Sequence, residues 1–426
     1  MLPYIFILLA LLLTIELFQR EYGYFLPTPG MVLSASLILV YLGPILGSKF
    51  YVDIAPVYVN KLVNDELYIL ELNLFIFLLS YIGFYLLFSK FKFLRKPYRK
   101  IMISDIKVTH LVVIFVVFFI VKYIYLSTGL SFSPASVLDR LLHPRNYTYI
   151  KVGTGWINYL NVAFSHVLLF TIIYYLISEK KHGKFKKIII VVIPLLLIFM
   201  GGGKQNLIWF VVYWAMISQK LNSKNHNVAK NLWFLTKISI VLVLTFYLAF
   251  SFIKKTDERI STSILAVILD YQREAFYSAK VLTDFEWKIE YALTGLSDTA
   301  IAIVPRGLWE DKPIVGYYRR YWQPEYNSNA VLYHSSTFGF LAESYMLLGI
   351  VGSVAYGFIW ALLCLKIRSM LNDSIGLKGL FRGAFLVLLF YFFIRDGFLG
   401  FTFWYTLILL VVSGKALQYR FKIKGF

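Results

Sequence analysis

The sequence predicts an all-α polytopic membrane protein of about eleven transmembrane helices with one large extracytoplasmic loop, and three observations predict it. Of its 426 residues 59% are hydrophobic and 19% aromatic, while only 15% are charged and mean hydropathy is +0.68. No water-exposed surface tolerates that composition. Apolar runs of bilayer-crossing length recur along the chain, and in hydrocarbon their backbone must be helical to satisfy its own polar groups. Finally, the basic residues gather in the links between runs. Lys90, Lys92, Arg95, Lys96, Arg99 and Lys100 form one cluster; Lys180, Lys181, Lys184, Lys186 and Lys187 another; Lys220, Lys224 and Lys230 a third. Lys366, Arg368, Lys378 and Arg382, then Lys415, Arg420, Lys422 and Lys424, complete the set. The positive-inside rule places all of these on the cytoplasmic face. The net charge of +20 is therefore partly a topology signal, and nucleic acid is not an expected partner.

Taken in order, the first run, 2–18, lacks the basic start and small-residue cleavage site of a signal peptide and reads as a helix. Further spans are expected near 31–47, 68–89, 108–126, 155–177, 188–200, 207–218, 233–253, 338–365, 380–394 and 398–412. The amino terminus then lies outside and the carboxyl terminus inside. Residues 1–426 form a single integral membrane domain, without internal repeat, low-complexity stretch or linker. The long loop, 254–336, falls between the eighth and ninth spans. With about ten Lys/Arg against eleven Asp/Glu it lacks the basic excess of the cytoplasmic links. Ile264, Ile268, Tyr271 and Ala275 fall at helical spacing within it, as in an interfacial amphipathic helix.

The residues able to do chemistry collect on the predicted outer side. In the turn Gly201-Gly202-Gly203-Lys204 the following helix points its amino terminus outward, and its free N–H groups with Lys204 make an anion site. The spacing is not that of a P-loop. Arg395-Asp396-Gly397 interrupts an aromatic run, and charges at membrane depth usually face a cavity. Arg140, His143, Arg145 and Lys151 form an outward basic cluster, against the positive-inside trend, which favours an anionic ligand. The long loop carries Arg273, Arg306 and Arg319, with Trp287, Trp309, Trp322 and several tyrosines whose rings suit sugar faces as well as membrane interfaces. His334 stands before a run containing Glu343 and the step Gly349-Ile350-Val351-Gly352, where it can serve as a base, contact a phosphate or cap a helix. No His/Asp/Glu set has metal spacing, the single Cys364 lies in a helix, and neither cofactor nor metal is expected.

These features together resemble the Wzy-type O-antigen and polysaccharide repeat-unit polymerases, integral membrane glycosyltransferases of the GT-C kind. The span count, the basic links and the late external loop carry the general likeness. Gly201-Gly202-Gly203-Lys204 resembles the family's glycine-rich turn, with lysine where arginine is usual; Pro305-Arg306-Gly307 with Lys312-Pro313 resembles its Pro-Arg and Lys-Pro segment. His334 with Gly349 and Gly352 resembles the His and Gly-x-x-Gly pattern shared with O-antigen ligases, and Arg395 the arginine near the last span.

The resemblance implies metal-independent transfer of a growing glycan from an undecaprenyl (polyprenyl) pyrophosphate carrier onto a new lipid-linked unit, on the periplasmic side of a bacterial inner membrane. His334, Arg395 and Asp396 are then the expected catalytic residues, and Lys204, Arg306, Arg140, Arg145, Arg273 and Arg319 the pyrophosphate-binding ones. The expected partners are the lipid-linked oligosaccharide donor and acceptor, the lipid bilayer and a chain-length regulator. A ligase delivering the glycan to lipid A core, or a lipid-linked glycan flippase, are the alternatives.

Overall fold

A computed structural model describes residues 1–18, 29–50, 64–90, 108–127, 133–142, 155–178, 192–198, 210, 213, 274–284, 286–304, 309, 339–372, 376–398 and 401–416. Every element among them is a helix. They are α1 (Leu2–Phe18), α2 (Pro29–Leu37), which runs through a π-turn (Ile38–Leu42) into α3 (Gly43–Phe50), α4 (Asn64–Ser89), α5 (Val108–Ser127), α6 (Pro134–Leu142) and α7 (Gly155–Ser178). After these come α8 (Glu274–Asp284), α9 (Ile289–Ile303), α10 (Gly339–Leu348), a 3-10 turn (Gly349–Val351), α11 (Gly352–Asn372), α12 (Gly376–Asp396) and α13 (Phe401–Ala416). Three stretches, Asp65–Ser89, Ile157–Leu176 and Gly339–Ser369, are long and apolar enough to cross a membrane, and shorter apolar helices accompany them. The expected span 233–253, most of 207–218 and both ends of 188–200 lie outside the described residues.

Apolar side chains gain little by meeting each other rather than lipid, so helices in a bilayer associate through close packing and polar contacts. The central pair, α4 and α11, uses both. Ser353, Gly357 and Ala361 repeat every fourth residue along α11 and open a groove for α4. A Cβ on Gly357 would stand 2.7 Å from Ser80 Cβ and 2.8 Å from the Tyr81 nitrogen. On either side of this contact Ser353 Oγ donates to Asn73 Oδ1 at 2.9 Å and Arg368 Nη1 donates to the Tyr85 hydroxyl at 2.6 Å. The two helices therefore run parallel. So does α1, whose terminal ammonium lies 3.5 Å from Glu71 and whose Tyr4 ring meets Phe75. The antiparallel partner is α12: Tyr356 lies against Phe393 and, one turn on, Trp360 against Phe390.

One expectation needs correcting. The run 338–365, read from sequence as one span, is folded in two. Phe340 and Tyr356 both stack on Phe393, with ring centroids 5.0 and 6.0 Å away, whereas a straight helix would hold them about 24 Å apart. The reversal falls at the Gly349-Ile350-Val351-Gly352 step. Gly349 takes a φ of +60°, and a Cβ on Gly352 would run into the Ser344 carbonyl. Glycine is what lets the chain turn this sharply. Only α11, at 21 residues, has the length to cross; α10, at 10 residues, leans back into the bundle beside it.

The α4–α11 groove predicts an asymmetric response to added methyl groups. Gly357→Ala drives a Cβ into the backbone of α4 and is expected to lower stability by about 1–3 kcal/mol. Gly83→Ala, where a Cβ meets open space, should leave it unchanged or higher. Thermal unfolding of both variants in detergent checks the difference.

Candidate functional site

The structure brings four sequence-distant segments together: the first turn of α4, the loop helix α8, the inserted α10 and the turn after α12. Arg395 occupies the last turn of α12, where a cation opposes the negative end of the helix dipole. Its Nε donates to Oε1 of Glu274 at 2.8 Å. Glu274 opens α8, where a carboxylate is favoured for the converse reason. The carboxylate is 5% exposed and the guanidinium 33%, so the arginine lies at the rim of the pair and the glutamate at its floor.

The turn that follows Arg395 is built on a second carboxylate. The Gly397 N–H closes α12 on the Phe393 carbonyl at 2.8 Å, with a φ of +74°, a C-cap conformation that a side chain would strain. Glu343 of α10 fills the space over Gly397 where a Cβ would otherwise stand. Its Oε1 accepts from the Phe398 N–H and from the Tyr356 hydroxyl, each at 2.6 Å. Glu343 is fully buried, and donors aimed at one oxygen replace the hydration it has lost. Beneath it Trp360, Phe393, Phe398 and Phe403 pack into an aromatic floor through stacked, tilted and edge-on contacts.

Two further contacts seat α8. The Tyr41 hydroxyl in the π-turn shares a hydrogen bond with Ser278 Oγ at 3.0 Å. Lys280 pairs with the buried carboxylate of Glu66 in the first turn of α4. That hydrogen bond, with the charges of Glu66 and Asp284, holds the Lys280 ammonium above its ordinary value of 10.5 despite some desolvation. Two ion pairs, Arg395 with Glu274 and Lys280 with Glu66, thus hold α8 in place.

Of the residues expected from sequence, Arg395 lies in this cluster and Asp396 ends the helix that carries it, its side chain being outside the described residues. His334, Lys204, Arg306, Arg145, Arg273 and Arg319 also lie outside the described residues. Arg140 is buried at the end of α6, its Nη1 donating to the Leu126 carbonyl at 2.8 Å and its guanidinium lying over the Tyr125 ring. There it caps the last turn of α5. The interfacial helix expected around Ile264 to Ala275 is described only from its end: Ala275 belongs to α8 and is buried against neighbouring helices. Trp309 is described and exposed.

Sequence reasoning singled out neither Glu274 nor Glu343 as a site residue. Glu343 did carry a signal, as a lone carboxylate in an apolar run, which in a membrane marks a functional or locking position. Glu274 gave none, since its neighbours Asp270 and Arg273 are charged too. Elsewhere, His166 Nδ1 is 2.7 Å from the Tyr213 hydroxyl, a satisfied contact within the helical core. Among the described residues no group of three His, Cys, Asp or Glu is placed to hold a metal ion. Compared with protein-family models, curated proteins and solved structures, the chain matches none.

The Glu343 contacts predict that Glu343→Ala lowers stability by about 3 kcal/mol, while Glu343→Gln, which keeps an acceptor oxygen, recovers about half of the loss. Unfolding in detergent distinguishes the two. For Lys280 the sign is fixed by its raised folded value. Its contribution is fully present below 10.5 and is lost only as pH rises through the higher folded value. The melting-temperature gap between wild type and Lys280→Met is therefore expected to stay constant from about pH 6 to 9.

Proposed function

We propose that this chain is a polysaccharide polymerase of the Wzy type, joining polyprenyl-pyrophosphate-linked oligosaccharide repeat units by transferring the growing glycan onto a new lipid-linked unit. The observation that carries the reading is Arg395: the arginine singled out by the sequence resemblance is part-exposed and oriented from beneath by a buried glutamate of the long loop. In the proposed reaction an acceptor hydroxyl attacks the anomeric carbon and gives up its proton to a base at the site, the bond to the diphosphate breaks, and polyprenyl pyrophosphate leaves. Negative charge grows on the leaving oxygen. A guanidinium fixed beside it stabilises that charge by about 3 kcal/mol, without need of a metal.

In this reading Lys204, Arg306, Arg145, Arg273 and Arg319 share the diphosphates, His334 meets the acceptor hydroxyl or a phosphate oxygen, and Asp396 completes the turn. Arg140 is left out, because it caps α5. Glu274 is added as the residue that orients Arg395. The same reading carries the architecture of about eleven spans and GT-C type, a bacterial inner membrane with the site on its periplasmic side, and a chain-length regulator as partner.

The test is reconstitution with a lipid-linked repeat unit alone, where the polymerase makes ladders of longer lipid-linked products. Transfer seen only when lipid A core is added means a ligase, and movement of the intact lipid without new bonds means a flippase. Arg395→Ala is expected to cut ladder formation at least about 100-fold at unchanged yield of folded protein. Arg395→Lys, which keeps the charge and loses the fork, should recover only a part. Undiminished ladders from Arg395→Ala would exclude this arginine from the reaction.

A further inference from the structure

The helix α9 has three faces, each with a different surrounding. Ala292 and Gly295 are buried, and the helix packs there on α10 and α13. Glu290 and Ser297 are exposed on a second face, with Thr294 half-exposed beside them. On the third, Ile289, Leu293, Leu296 and Ala300 recur at i, i+4, i+7 and i+11, a stripe about 60° wide, and all four are exposed. Leu293 reaches 64% exposure, an extreme value for a leucine on a helix already packed on two others.

This stripe does not end with the helix. Trp287, just ahead of α9, lies over Gly349 at the tip of the α10–α11 hairpin. The next two residues at that tip, Ile350 and Val351, are 85% and 63% exposed. Val354 and Phe358 then carry the bare apolar surface down one face of α11, the crossing helix of its stretch. A surface continuous with the lipid-facing side of a spanning helix meets the same solvent. The polar face of α9, about 90° round from the stripe, meets water.

We infer that α9 is a membrane-docking helix, seated along the bilayer surface at this end of the bundle with Ile289, Leu293, Leu296 and Ala300 in the acyl chains. Its occupant is lipid. The three-way split of buried, apolar-exposed and polar-exposed residues is that of a helix lying at an interface between protein, hydrocarbon and water. The part of the long loop between α8 and α10 is thereby tied to the bilayer rather than suspended above it. The docking is independent of the reaction the chain performs.

The test uses the full-length protein in vesicles of phosphatidylethanolamine and phosphatidylglycerol. Single cysteines at Leu293, Leu296, Glu290 and Ser297, in a Cys364→Ser background, carry a spin label whose collisions with oxygen and with a water-soluble nickel chelate are compared. The expected result is oxygen-dominated collision at Leu293 and Leu296, with the order reversed at Glu290 and Ser297. Nickel-dominated collision at Leu293 and Leu296 would place the stripe in water, and protection from both reagents would mean protein, such as a second copy, covers it; either overturns the inference. Unmodified protein supplies a second readout that no substitution can disturb. A photoreactive lipid with the reactive group in its acyl chain is expected to label the peptide spanning Ile289–Ile303, and absence of label there again overturns it.

Discussion

A carboxylate that has lost its water has to be met by donors held at fixed places, and in this bundle Glu343 imposes that demand. Hydrocarbon offers no substitute for hydration, so the Tyr356 hydroxyl and the Phe398 N–H must both arrive at one oxygen. Meeting the demand ties together three elements: the inserted α10, the crossing α11 and the turn between α12 and α13. The turn can come so close only because position 397 has no side chain. With the turn fixed, the end of α12 is fixed, and with it the backbone that carries Arg395.

From Arg395 the order passes outward to the long loop. Glu274 holds the arginine, and α8, which begins at that glutamate, is in turn held by Ser278 on Tyr41 and by Lys280 on Glu66. Each of these contacts joins a residue of the loop to a different membrane helix. A segment that composition alone makes look detached is therefore a structural part of the bundle. This has a physical consequence, since a guanidinium supported from beneath by a buried carboxylate stays oriented without a ligand to order it.

Much of the fold was legible in the sequence because bilayer physics leaves few choices. The helices α1, α4, α5, α7, α12 and α13 lie where long apolar runs and basic links put them. The bend in 338–365 was not legible as a bend. Its two glycines were visible, yet apolar runs with internal glycines also form straight spans, and only the packing of Phe340 and Tyr356 on one ring reveals the reversal. Arg395 was found by its position beside an aromatic run. Its partner Glu274 was not, because an ion pair across 121 positions leaves no local pattern. Arg140 shows a related limit of local pattern: its contact with the Leu126 carbonyl, across 14 positions, could not be read from the basic cluster it belongs to.

The hairpin also bears on how the protein is made. A ten-residue helix with a buried acid at its middle is a poor insertion signal, too short to span and carrying a charge that hydrocarbon rejects. During synthesis α10 therefore waits for α11, and its acid for the Phe398 N–H, which emerges from the ribosome some fifty residues later. Maturation of the charged end of the bundle is in this way coupled to arrival of α12 and the turn after it, so a chain released before Phe398 would leave Glu343 without its backbone donor.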